Sequence, residues 1–183
     1  MASDKIARGG LVYHAVHGLC RLERMIKQEQ SGGKEVLCYS LVPKIAQRMK
    51  SRFIIAVADI KASGFHALVS PQGANDILQY LKAGDSAALP ANVSPEIIST
   101  FVQPNQTWSL AQVLLSSSQD KFEAKDQRKR QMLQRSAKGL VGELAFVLNI
   151  TVKETVARIR KSLGNALKIN PSVLIALDDA GEA

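Results

Sequence analysis

Residues 10–26, GLVYHAVHGLCRLERMI, decide the fold of the first third of the chain. Two short apolar stretches flank AVHG, where Gly18 can adopt the backbone conformations that a turn between strands requires. In the second stretch Cys20, Leu22 and Ile26 share one parity, and the charged residues Arg21 and Glu23 share the other. This alternation predicts a half-buried strand with Ile26 on its apolar face.

The same stretch raises the question of a metal site, because His14, His17 and Cys20 are spaced by three residues. Imidazole and thiolate are zinc ligands, and this spacing would place all three on one face of a helix. The predicted turn instead puts His14 and Cys20 on different strands. Cys38 and His66 are then the only candidates for a fourth ligand. We therefore expect no metal or other cofactor, and a metal or redox protein remains the third functional hypothesis.

Further strands follow before the pattern becomes helical. Residues 36–42, VLCYSLV, are mostly apolar at both alternate sets of positions, which predicts a central strand that ends at Pro43. Residues 52–57 form another short run with β-branched residues, which predicts a further strand. From about residue 71 the apolar residues recur at helical spacing. Helices are predicted in 74–85, in a segment capped by Ser94, in 103–118, in 125–149 and from the capping box at Thr151.

The predicted fold is therefore α+β, a small β-barrel-like module followed by a compact helical bundle. We place the domains at 1–69 and 70–168, with 169–183 as a tail. Gly84 is expected to end the first helix, because glycine favours the C-terminal cap. Trp108, the only tryptophan, is expected to pack at a helix start.

Composition limits the functional classes. The chain has 183 residues, a hydrophobic content of 46% and a net charge of +8. Basic chains favour acidic partners such as nucleic acid or acidic protein patches. The sequence has no secretory signal, no apolar run of about 18 residues and no redox spacing of cysteines, so we expect a cytoplasmic protein. Known phosphate-loop, zinc-protease and nucleophile-elbow motifs are missing, which disfavours an enzyme.

Basic residues concentrate in 121–168, where 12 Lys and Arg side chains face only 4 Asp and Glu. The sequence DQRKRQ places several of them at the start of the longest predicted helix, where the helix dipole disfavours cations. Phosphate contact would explain that placement. The candidate DNA-binding residues of this helix are Arg128, Lys129, Arg130 and Arg135.

The two most distinctive stretches resemble the CarD/CdnL family of bacterial transcription factors. The resemblance covers about residues 8–165 and is weak in the middle. The C-terminal stretch is the more specific, with Met132, Leu133 and the run LVGELA at 140–145. The N-terminal stretch fits the family pattern at Gly9, Val12, His17, Gly18 and Glu23, whereas Ala15 replaces the usual proline.

This resemblance implies a Tudor-like (SH3-like) N-terminal domain that binds the β subunit of RNA polymerase and a helical domain that contacts promoter DNA. It implies a monomeric regulator that prolongs the life of the open complex. The polymerase-binding candidates it gives are Gln28, Arg48, Lys50, Arg52 and Ile54. The family usually has an arginine at the position of Ile54, and Arg52 on the same strand face could substitute for it.

One departure opens an alternative. The family tryptophan that wedges at the minor groove is replaced by Val93, and two arginines after it are replaced by Pro95 and Glu96. An aliphatic side chain can still wedge a base step, but it offers less area. The alternative is therefore a protein-binding adaptor of the same fold whose DNA role is lost.

Overall fold

The structure, a computed structural model, describes residues 6–30, 33–44, 51–60, 62–84, 107–119, 127–164 and 169–182. Contacts divide the chain into Met1–Leu68, the β unit, and Val69–Ala183, the helical unit. Among the described residues, an antiparallel sheet lies in the first unit and five helices lie in the second. The predicted α+β class, with a β module preceding helices, is confirmed.

The sheet of the β unit has five strands in the spatial order β4-β3-β2-β1-β5. Their bounds are β1 Leu11–His14, β2 Gly18–Gln30, β3 Lys34–Pro43, β4 Phe53–Ala56 and β5 His66–Ala67. A short 3₁₀ turn, Val57–Asp59, follows β4. The sequence did not reveal β5, because two residues are too few to show a periodicity.

The predicted turn of the β1–β2 hairpin is confirmed. Gly18 has a φ of +68°, which is unfavourable for side chains with a Cβ atom, and it pairs directly with His14. Cys20 and Leu22 of β2 then lie in the core. The fully buried cluster of this unit contains Val12, Cys20, Leu22, Tyr39, Leu41 and Phe65.

The alternation of β2 is interrupted by a β-bulge at Glu23. Leu22 pairs with Leu41, but Arg24 already pairs with Ser40, so Glu23 is the extra residue. An extra residue inverts the parity of every side chain beyond it. The expectation that Ile26 shares the apolar face of Leu22 is therefore wrong.

The helical unit contains α1 Pro71–Ala83, α2 Thr107–Gln119, α3 Gln127–Leu148, α4 Val152–Leu163 and α5 Pro171–Glu182. Thr151 caps α4 as predicted, with its Oγ1 accepting a hydrogen bond from the Glu154 amide at 3.1 Å. Gly84, with a φ of +60°, ends α1 as predicted. The helix predicted after Ser94 lies outside the described residues. None of the described helices is long and apolar enough to cross a membrane.

The segment set apart as a tail forms helix α5 and belongs to the helical unit. Its buried side chains, Val173, Ala176, Leu177 and Ala180, follow helical spacing. At its surface Arg160 of α4 forms an ion pair with Asp178, and Gln134 of α3 donates to Asp179 at 3.2 Å. These contacts attach α5 to its neighbours.

Glu143 of α3 is a charged residue with no exposed surface. Its Oε1 accepts a hydrogen bond from the Val69 amide at 3.0 Å, and its Oε2 accepts one from the Thr107 hydroxyl at 2.8 Å. Buried carboxylates require such donors, because desolvation is otherwise costly. Glu143 therefore joins the start of the helical unit and the start of α2 to the middle of α3.

Candidate interaction surface

The outer face of the sheet, opposite the core cluster, holds the main candidate site. Ser40 of β3 lies directly between Arg24 of β2 and Ile54 of β4. Directly opposed residues of neighbouring strands point to the same face. The bulge at Glu23 is the reason that Arg24 joins this row rather than the core.

An ion pair borders the row. The Arg52 guanidinium lies 2.8 Å from Oε2 of Glu23, and the Ser40 hydroxyl donates to the same carboxylate at 3.5 Å. The Arg52 and Glu23 side chains are 45% and 39% exposed, so water screens the pair and its stabilising effect is small. We call Glu23, Arg24, Ser40, Arg52 and Ile54 the Ile54 surface.

The apolar centre of this surface is Ile54, whose relative exposure is 46%. Arg24 is exposed as well, whereas Ser40 is buried beneath these side chains. An exposed aliphatic side chain beside two guanidinium groups can bind an acidic protein surface: the aliphatic group loses water, and the arginines supply charge and geometry.

The other predicted polymerase-binding residues divide into two groups. Gln28 is exposed on the same face, further along β2, where its Oε1 is 3.9 Å from the Cys38 sulfur. Arg48 and Lys50 lie outside the described residues. The structure thus brings Arg52, Ile54 and Gln28 to one face.

The predicted DNA-binding residues of the helical unit lie in the N-terminal half of α3. Arg128, Lys129, Arg130 and Arg135 are all exposed. Arg128 and Arg135 are seven residues apart, so they project from the same side of the helix. This arrangement can contact two phosphates along one groove edge.

Two residues bear on the DNA wedge: Val93, which replaces the family tryptophan, and Trp108. Val93 lies outside the described residues. Trp108 is at the start of α2, where its ring meets Tyr80 of α1 edge-to-face, with centroids 5.7 Å apart. The prediction that Trp108 packs at a helix start is confirmed, and its ring is engaged in helix packing.

The residues of the metal hypothesis have other partners. Nδ1 of His14 accepts hydrogen bonds from the backbone amides of Val16 and His17. Cys20 lies in the core, where burial raises the pKa of its thiol to about 11. In the part of the chain that the structure describes, no three His, Cys, Asp or Glu side chains are grouped to hold a metal ion.

Sequence reasoning missed Glu23, Arg24 and Ser40 as members of the candidate surface. A bulge has no reliable signature in a single sequence, so the face of Arg24 could not be assigned. The available signal for this surface was Ser40, a polar residue inside an apolar run, because a polar side chain in a central strand requires a hydrogen-bond partner.

A scan against models of known protein families and a search of curated proteins find no match to this chain.

Proposed function

We propose that the chain is a non-enzymatic regulator of transcription that acts in the cytoplasm by binding the β subunit of RNA polymerase through the Ile54 surface. The observation that supports this most is the exposed Ile54 with Arg24 and Arg52 on one sheet face. The resemblance of residues 10–26 and 131–146 to the CarD/CdnL family suggests the partner. Binding there would bring the helical unit to the promoter.

The experiment is a titration of the full chain against the isolated polymerase β subunit, with wild type and Arg52→Glu. Reversing a charge inside an interface should cost more than about 1 kcal/mol, which is about a fivefold loss of affinity. Ile54→Lys should weaken binding at least as much, since it places a charge at the apolar centre.

A matched control exists in α4. Arg158 has the same side-chain exposure as Arg52, 45%, and it pairs with Glu154 at 3.0 Å. Arg158→Glu therefore removes an equivalent surface ion pair in the other unit, and it should leave the affinity unchanged. If Arg52→Glu binds as tightly as wild type, the Ile54 surface is not the polymerase contact.

We further propose that the helical unit contacts DNA through the N-terminal half of α3. Because each neutralised phosphate adds about −0.9 to the slope of log K against log salt, replacing both Lys129 and Arg130 by Glu should flatten it by about 2 units. Replacing Lys27 and Lys34 of the β hairpin by Glu is a control of equal charge change. If the two double substitutions change the salt slope equally, DNA is not contacted specifically by the N-terminal half of α3.

The adaptor remains the second candidate function, and the position of Trp108 favours it. Its ring packs against Tyr80, so it cannot take over the role of the missing wedge at Val93. In this adaptor the helical unit binds another protein and no longer binds DNA. Retained polymerase binding with no duplex binding at low salt would select it over the regulator.

A further inference from the structure

All three histidines of the chain lie together at one end of the sheet. The rings of His14 and His17 are stacked, with centroids 4.4 Å apart. His66 of β5 is the direct neighbour of Tyr13 in β1, and it acts electrostatically on His14. This crowding brings together side chains that repel one another when they are protonated.

The hydrogen bonds of His14 require its neutral form. Nδ1 accepts from the Val16 amide at 3.0 Å and from the His17 amide at 3.1 Å. An interaction with the backbone of Ser63 acts in the opposite direction and favours the protonated ring. Because Nδ1 accepts both amide hydrogens, the proton of the neutral ring lies on Nε2, so these hydrogen bonds define one tautomer.

The surroundings of His14 offer little compensation for a positive charge. The turn contributes His17, β5 contributes His66, and the segment before β5 contributes the Phe65 ring at a centroid distance of 4.8 Å. The Phe53 ring of β4 packs against His17 at a tilt of 35°, with the ring centroids 4.4 Å apart. Burial, with smaller contributions from His17 and His66, lowers the pKa of His14 to about 4.

We propose that the histidine cluster is a proton-sensitive switch of the Ala15–His17 turn. The turn is held while Nδ1 of His14 accepts the two amide hydrogens. A proton bound at Nδ1 turns this atom into a donor that faces two donors, so both hydrogen bonds are lost and the turn is released. The turn presents Val16, an apolar side chain that is 57% exposed, so the switch changes the surface at this end of the β unit.

The test uses the full chain labelled with ¹⁵N, in wild type and His14→Asn. Asparagine can place an acceptor oxygen near the position of Nδ1, but it does not titrate. In wild type, the ring nitrogens of His14 should titrate near pH 4, and the exchange protection of the Val16 and His17 amides should fall at least tenfold between pH 7 and pH 4. In His14→Asn that protection should stay constant within about twofold.

The amide of Tyr39, in the core strand β3, is the internal control for global unfolding. Its protection should stay well above that of the Val16 and His17 amides over the pH range in which the turn opens, because the chain as a whole remains folded. The proposal is overturned if the amides of Val16 and His17 stay protected while His14 is protonated, or if the Asn variant loses protection with the same pH dependence. Should the variant not fold, the wild-type ring shifts and amide protection alone decide the matter.

Discussion

Replacing Glu143 by leucine is expected to destabilise the helical unit strongly. The substitution keeps a side chain of similar size but removes the acceptors of the Val69 amide and the Thr107 hydroxyl. Thr107 is only 2% exposed, so water cannot easily replace the lost acceptor. Hydrogen bonds to carboxylates contribute about 1.5–3 kcal/mol each, so the loss of two gives an expected destabilisation of about 3–6 kcal/mol.

Urea denaturation followed by circular dichroism measures this loss. The matched control is Glu154→Leu in α4, because that carboxylate is exposed and pairs only with Arg158 among the described residues. A surface pair of this kind contributes about 0.3–0.5 kcal/mol. Glu143→Gln should fall between the two, since its amide retains one acceptor oxygen but turns a donor toward a donor.

A double-mutant cycle with Thr107→Val tests the specific contact. Because the hydroxyl of Thr107 and Oε2 of Glu143 are 2.8 Å apart, the two substitutions should be coupled by about 1–3 kcal/mol. A loss below about 1 kcal/mol for Glu143→Leu would show that the two hydrogen bonds contribute little, and simple addition of the two losses would show that Thr107 and Glu143 are not coupled.

Three further outcomes follow from the geometry. Thr151→Ala should destabilise the chain by about 1 kcal/mol, as should Ser70→Ala at the equivalent cap of α1, whereas Thr151→Ser should be nearly neutral by denaturation. Cys20 should resist alkylation by iodoacetamide at pH 8 until urea unfolds the chain, and rapid modification of the native protein would contradict its burial. The folded pKa of His14, about 4, lies below its ordinary value of 6.5, so its stabilising effect is complete above pH 6.5 and is lost as the pH falls through 4. After discounting for partial exposure the loss is about 1–2 kcal/mol, and His14→Asn should remove it from a urea series across pH.

The sequence predicted those parts of the fold in which local chemistry and tertiary packing agree. Gly18 marks the first hairpin turn because its positive φ is needed there, and Thr151 marks the start of α4 because its side chain caps the helix. The helical period also identified α3, although Gly139 is unfavourable inside a helix. The predictions failed where contacts between distant parts of the chain determine the structure.

Two failures have identifiable causes. The bulge at Glu23 falls where the alternation of β2 breaks, at the consecutive charged residues Glu23 and Arg24. It moves Ile26 to the outer face and brings Arg24 beside Ser40. The histidine cluster needs His66, which is far along the chain and reaches His14 only through the two-residue strand β5. The break in alternation was not recognised as a bulge, and the pairing of β5 leaves no periodic trace, so the candidate surface was predicted only in part.

The location of the most distinctive sequence motif also bears on how function should be sought. In the run 140–145, LVGELA, every side chain that a helix could present to a partner is instead buried: Leu140, Val141, Glu143, Leu144 and Ala145. Glu143 accepts hydrogen bonds from two segments of the helical unit, so its side chain contributes to the packing of that unit. The resemblance in this run therefore concerns the packing of the helical unit. Binding must be tested on exposed residues such as Ile54 and Arg135, which a partner can reach.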